Sequence, residues 1–151
     1  MKNGTPAPAG QLTQGWPHAG AQGSTAGDIT GQILADHARI RRLFAALGDA
    51  ARCDDPAWAR WMLSEAWQRA AALLEAHCDA GEEICYPALH DGRRAAAARI
   101  DDAIADHGDI REAAAEARLQ DVGSPAWWRA VTAAITATQD HFAREERGRA
   151  G

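Results

Sequence analysis

Residues 124–146 read SPAWWRAVTAAITATQDHFAREE. The stretch opens on Ser124-Pro125, a helix N-cap followed by the residue best suited to the first helical position. Val131, Ala134, Thr138, His141 and Glu145 then recur at three- and four-residue steps, which is one face of an α-helix. That face carries a histidine and, one turn further on, a carboxylate. A core-facing stripe rarely gives a position to a group that must be hydrogen-bonded or ligated once buried. One such histidine would be an ordinary satisfied core residue.

The same pattern occurs three more times. A first helix from about Gly31 to Leu47 shows Ile33, His37, Ile40, Phe44 and Leu47 on one face, with Gly48 as its expected stop. A second begins at Asp55-Pro56 and has Met62, Ala66, Ala70, Leu73, His77, Gly81 and Ile84 on its expected inner face. Pro87 should kink or end it, and Asp91-Gly92 closes the segment. A third spans roughly Arg94 to Leu119, with Ile100, Ala103, His107, Ile110 and Ala114 inward, and Gly123 precedes the fourth. Nothing reads as a strand. The expected fold is therefore all-α, an up-down-up-down antiparallel four-helix bundle with short connections. At 1.5 Å rise per residue, that topology brings His37, His77, His107 and His141 into one layer about 10 Å thick. Four histidines at one depth, one per helix, point to a shared metal site.

Bulk properties exclude several other classes. The chain has 151 residues, enough for one domain with its own core. Its arginines are spread along every helix and Lys2 is the only lysine, so a nucleic-acid groove is not expected. No apolar run approaches the roughly 20 residues of a membrane span. Residues 1–27, rich in Gly, Pro, Ala, Gln and Ser, are expected to form a disordered tail that is no signal peptide, with His18 exposed in it. The bundle would occupy 28–151. Three cysteines, Cys53, Cys78 and Cys85, form no C-x-x-C pair and read as reduced thiols of a cytoplasmic protein.

These residues resemble a known family. Asp36-His37-Ala-Arg-Ile-Arg-Arg-Leu-Phe looks like the first histidine motif of hemerythrin-like (HHE cation-binding) proteins. His77-Cys-Asp-Ala-Gly-Glu-Glu-Ile-Cys-Tyr-Pro-Ala-Leu is similar to the second, Asp106-His107-Gly-Asp-Ile-Arg-Glu to the third, and His141-Phe-Ala-Arg-Glu-Glu to the fourth. The resemblance covers residues 28 to 148. It implies a non-haem di-iron centre in which imidazoles cap each iron and carboxylates bridge the pair. Independently, histidine with glutamate suits iron, manganese or zinc. Carried over by position, the matching ligands are His37, His77, His107, His141 and Glu145. Where the family often has a further third-helix histidine, this chain has Arg111, which points to an open site with fewer histidines.

The second motif departs from the pattern at Gly81, where a glutamate is normal. Glu82 and Glu83 follow, but on a regular helix they lie well off the inner face. Three readings stay open: a π-bulge turns Glu82 inward as a metal ligand, water fills the vacancy beside one bridging carboxylate, or the site holds metal weakly or holds one ion. Asp36 and Asp106 are expected to be solvated, or to accept an imidazole N–H and fix its tautomer. Cys78 and Cys85 read as packed thiols and His90 as a surface residue. Trp58, Trp61, Trp67, Trp127 and Trp128 read as an aromatic plug at one end of the bundle, any left exposed marking a partner surface.

The functional expectation is an iron protein that binds or senses a small molecule such as O₂ or NO, or responds to iron or peroxide. The alternatives are a di-iron enzyme, for peroxide disproportionation or an oxidase reaction with Tyr86 as a redox-active neighbour, and a metal-free helical interaction module with a decayed site. Oligomeric state is not legible.

Overall fold

Two proline-led caps set the helices that matter most. The Asp55 carboxylate accepts hydrogen bonds from the backbone N–H groups of Ala57 and Trp58 at 3.0 and 3.1 Å, and Pro56 opens α2 (Pro56–Ala80). The Ser124 hydroxyl likewise accepts from the Trp127 N–H at 3.1 Å ahead of α5 (Pro125–Arg149). Each side-chain oxygen satisfies donors that a helix start leaves unpaired. Gly123, with φ +81°, takes the left-handed turn before Ser124 that other residues adopt only with strain.

The computed structural model describes residues 26–89 and 94–149. The expectations for the tail up to residue 25, for His90 and for Asp91-Gly92 lie outside them. Besides α2 and α5, the chain forms α1 (Ala26–Ala51), a π-helical turn over Gly81–Cys85, α3 (Tyr86–Leu89) and α4 (Arg94–Arg118). Among the described residues there is no strand. Helix α1 packs chiefly on α2 and α4 chiefly on α5, and α2–α4 and α1–α5 contacts join the two pairs. This is the all-α four-helix bundle that the periodicity predicts. No described helix is long and apolar enough to cross a membrane.

Three local expectations need correction. Helix α1 runs through Gly48 and ends in the turns Arg52 N–H to Asp49 O and Cys53 N–H to Ala50 O. Glycine inside a helix costs only about 1 kcal/mol, and buried Leu47 and Ala50 on either side favour continuing the helix. In α2 the inner face lies one residue further on than expected. Leu63, Trp67, Ala70 and Leu74 are buried, whereas Met62, Ala66 and Leu73 line its edge. Beyond Ala80 the π turn shifts the register again, so Cys85 and Tyr86 point inward and Ile84 is 62% exposed. Pro87 then sits within α3.

The tryptophans divide. Trp67 and Trp127 are buried edge to face with centroids 6.3 Å apart, and Trp128 packs on Trp127. Trp58 and Trp61 are more than half exposed and stack on each other at 4.8 Å. The main core runs through Leu47, Leu74, Ile110, Trp127, Val131 and Phe142, and a smaller cluster gathers Ile33, Cys85 and Tyr86. Along α1 and α4 the histidine falls between residues of these two clusters. The polar layer thus has apolar packing above and below it along the bundle.

Candidate metal centre

His37, His107 and His141 are fully buried and His77 nearly so. Their rings meet in one layer. Centroids lie 5.1 Å apart for His37 and His77, 4.6 Å for His107 and His141, and 5.8 Å for His77 and His141. Phe142 stacks on His37 at 3.7 Å and holds that ring flat against the core. Two overlapping groups offer ligand atoms within 4.8 Å of one another: His77, His107 and His141, and His37, His77 and Glu145. Glu145 stands between them. Its Oε2 is 3.0 Å from His37 Nε2 and 3.7 Å from His77 Nε2, while its Oε1 accepts the Tyr86 hydroxyl at 2.9 Å.

The outer nitrogens explain which way the inner ones face. His37 Nδ1 donates to Glu146 at 2.9 Å, His107 Nδ1 to Glu82 at 2.8 Å and His141 Nδ1 to Asp106 at 3.2 Å. Each carboxylate is also gripped by an arginine: Arg41 on Glu146 at 2.8 Å, Arg111 on Glu82 at 2.7 Å, and Arg144 on Asp106 at 2.9 Å. An ionised carboxylate can only accept. The Nδ1 atoms of His107 and His141 therefore carry a proton and turn their Nε2 atoms toward the centre, whereas His37 meets a carboxylate at both ring nitrogens, Glu146 outside and Glu145 inside.

The result is a set of acceptors facing one another. His107 Nε2 and His141 Nε2 are 3.1 Å apart, and His77 Nε2 is buried without a hydrogen-bond partner. Protonation is not the remedy. Burial lowers the His77 pKa to about 4 against the pull of Glu145, and burial lowers that of His141 as well. Tyr86 has one hydroxyl proton, which the Glu145 carboxylate takes in preference to an imidazole. A cation is the partner that satisfies converging imidazole lone pairs and a carboxylate together, so the donor set fits a metal.

The departure at Gly81 is resolved by the π turn. The Tyr86 N–H bonds the Gly81 carbonyl, an i→i+5 contact, and the extra residue swings Glu82 toward α4. There Glu82 meets the outer Nδ1 of His107 and the Arg111 guanidinium, so it stands behind His107 and outside both clusters of converging ligand atoms. Partial burial opposes its charge, but the bonds from Arg111 and His107 hold its pKa below the ordinary carboxylate value. The Arg41 hydrogen bond likewise holds Glu146 low despite partial burial. Glu83 is exposed. A Cβ at position 81 would lie 3.0 Å from His107 Cε1 and 3.3 Å from Tyr86 Cζ, which is why glycine stands there.

Other residues fall as follows. Asp106 does orient an imidazole, but that of His141 on the neighbouring helix. Asp36 pairs with Gln32 and Arg39 at the surface. Burial pushes the Cys78 thiol up to about 12, so it stays protonated and packs as an apolar group. Glu146 and the three gripping arginines were missed by the sequence reading. Their signal was a basic residue three or four positions from a histidine, repeated as Arg41, Arg111 and Arg144. A cavity of about 630 Å³ opens beside the layer. Tyr86, His141 and Glu145 form part of its wall, with exposed Arg99, Asp102 and Arg147 also lining it.

A helical bundle that turns histidines and a glutamate inward from its long helices defines a class of cation-binding domain. Residues 28–149 match the hemerythrin HHE cation-binding domain, and the chain belongs to that family. Among curated proteins and solved structures no match was found.

Proposed function

We propose that this chain is a non-haem iron protein whose buried centre holds a pair of ions and binds a small ligand such as O₂, NO or peroxide. The observation that carries this reading is the 3.1 Å approach of the His107 and His141 Nε2 atoms, both protonated on the far side of the ring. His107 and His141 would contribute to one ion and His37 and Glu145 to the other, while His77, which belongs to both groups but offers a single ligand atom, would serve one of them. Glu82 enters as the group that orients His107. Imidazole and carboxylate donors suit iron, manganese or zinc, and the family's character favours iron among them.

An iron pair, when bound, supplies open coordination and one-electron redox change. The chain's own residues do the rest. The arginine–carboxylate–histidine relays fix tautomer and ring direction before metal arrives, a preorganisation that argues against a decayed site. The apolar clusters shield the layer along the bundle axis. The cavity walled by Tyr86, His141 and Glu145 gives a small ligand its approach. We place the protein in the cytoplasm as part of the same proposal, since its three cysteines are unpaired with one another.

One observation favours a second reading, turnover of peroxide or of an oxidisable substrate. A volume of about 630 Å³ is within the range of small-molecule pockets and exceeds what a diatomic needs. Anaerobic iron loading followed by elemental analysis tests the centre, with one to two equivalents per chain expected. Uptake far below one equivalent overturns it. Ligand-binding spectra with NO and O₂, set beside turnover assays with peroxide, then separate a binder from an enzyme.

A further inference from the structure

We propose that Tyr86 supplies its phenolic oxygen as a ligand to the metal centre, taking the place that a carboxylate at position 81 would occupy. This rests on the metal-centre reading above and extends it to a residue type outside the histidine–glutamate set.

The argument begins with register. On a regular α-helix, Tyr86 would point roughly 140° away from Gly81 around the axis. The i→i+5 bond between them widens the turn and brings Tyr86 back over the glycine. Its ring stacks on His107 with centroids 5.6 Å apart and planes 24° from parallel. The hydroxyl and Cζ then fill the space within 3.4 Å of where a Cβ at 81 would lie. Glycine and tyrosine are thus one device, since the first has no side chain so that the second can reach the centre.

The spacing around the hydroxyl is that of a coordination shell. Neighbouring ligands on an octahedral ion with bonds of about 2.1 Å stand roughly 3.0 Å apart. Tyr86 Oη is 3.1 Å from His107 Nε2 and 2.9 Å from Glu145 Oε1, and His107 Nε2 is 3.1 Å from His141 Nε2. A hydroxyl oxygen, a carboxylate oxygen and two imidazole nitrogens are therefore linked in series at separations that a shared ion would also require. A phenolate is a hard anionic donor, matched to a ferric ion and to the net charge lost with the missing carboxylate. On ligation a metal–oxygen bond forms and the phenol O–H bond breaks. The proton leaves to solvent through the cavity that Tyr86 lines, and no electron is transferred.

Composition makes the test unambiguous, because the chain contains a single tyrosine. Wild-type protein and Tyr86→Phe are loaded with ferrous iron without oxygen and then oxidised. Iron content, circular dichroism, visible absorption and resonance Raman spectra are recorded. The ferric wild type should show a phenolate-to-iron charge-transfer band with ring modes enhanced in the Raman spectrum. Tyr86→Phe should lose both at unchanged helicity, with iron affinity lowered about tenfold. Iron-loaded wild type without that band, or a band that survives in Tyr86→Phe, overturns the proposal alone. Wild type that takes up no iron overturns the metal-centre reading and this proposal with it. The wild-type spectrum decides the matter even if the variant fails to fold.

Discussion

Arg111 Nη1 lies 2.7 Å from the same Glu82 oxygen that His107 Nδ1 meets at 2.8 Å. One guanidinium on α4 thereby ties the π turn to the imidazole it orients, and it also bonds Glu75 at 3.0 Å and Asp79 at 2.8 Å. The three carboxylates hold its proton more firmly than an ordinary arginine's. The cluster is partly open to solvent, so its value for stability is small.

Arg111→Ala should therefore separate metal binding from folding. We expect iron or zinc affinity, read by competition with a chelator, to fall about tenfold, as for other groups that orient a ligand. The apo protein should lose only about 1 kcal/mol. Arg111→Lys should fall between, because an ammonium cannot serve three carboxylates in a fork. Unchanged affinity in Arg111→Ala would show that Glu82 holds His107 unaided.

The apo protein should lose stability as pH falls from about 6.5 toward 4. Burial depresses the folded pKa of His77 to about 4, below its ordinary 6.5, so in this window the unfolded chain binds the proton that the folded chain refuses. Stability is then fully present above 6.5 and is lost as pH falls through the folded value. At 1.36 kcal/mol per unit this amounts to roughly 3 kcal/mol, and His141 shifts in the same direction. Glu82 and Glu146, held below 4.5, add their own loss only at lower pH. Urea melts of the apo protein at several pH values check this, with His77→Leu expected to flatten the slope. A flat wild-type profile between 6.5 and 4.5 would refute it.

Much of this was legible from periodicity and capping chemistry. Asp55-Pro56 and Ser124-Pro125 carry their own start signals, and His37, His107 and His141 stand where a 3.6-residue period puts them. What failed was register in α2. Local pattern favoured Met62 and Ala66 because it counts apolar residues. The bundle instead buries Trp67, whose larger area outweighs theirs. Past Ala80 the π turn breaks the period itself, so Ile84 turns outward while Cys85 packs inward as expected. The relays were missed for a different reason: the histidine and arginine of each share a helix, but the carboxylate that joins them comes from another element, and spacing within one helix records only the first half.

Removing the metal should lower the melting temperature. His77 Nε2 is buried without a hydrogen-bond partner in the apo bundle, so binding couples directly to folding. Metal at about a thousand times its Kd adds roughly 4 kcal/mol. For a domain of this size that moves Tm by about 10 °C. Calorimetry of loaded and chelator-stripped protein measures the shift. Coincident transitions would mean that the centre binds no ion under loading conditions.

Gly81 gives the sharpest test, because helix propensity and packing predict opposite signs there. Propensity alone favours Gly81→Ala by about 1 kcal/mol. The new Cβ, however, would meet His107 Cε1 at 3.0 Å and Tyr86 Cζ at 3.3 Å. His107 cannot yield freely, since Glu82 holds its Nδ1 while Tyr86 and His141 crowd its Nε2. Overpacking of this kind costs about 1–3 kcal/mol, so packing outweighs propensity. Gly81→Ala should be less stable than wild type in urea and should hold less metal. Gly81→Glu should be worse still, because its carboxylate would need the volume that Tyr86 fills. Combining Gly81→Glu with Tyr86→Ala should then recover part of the lost metal affinity by vacating that volume. If Gly81→Ala is stabilised with metal content unchanged, His107 and Tyr86 have room to move, and the glycine is not required by the packing of the centre.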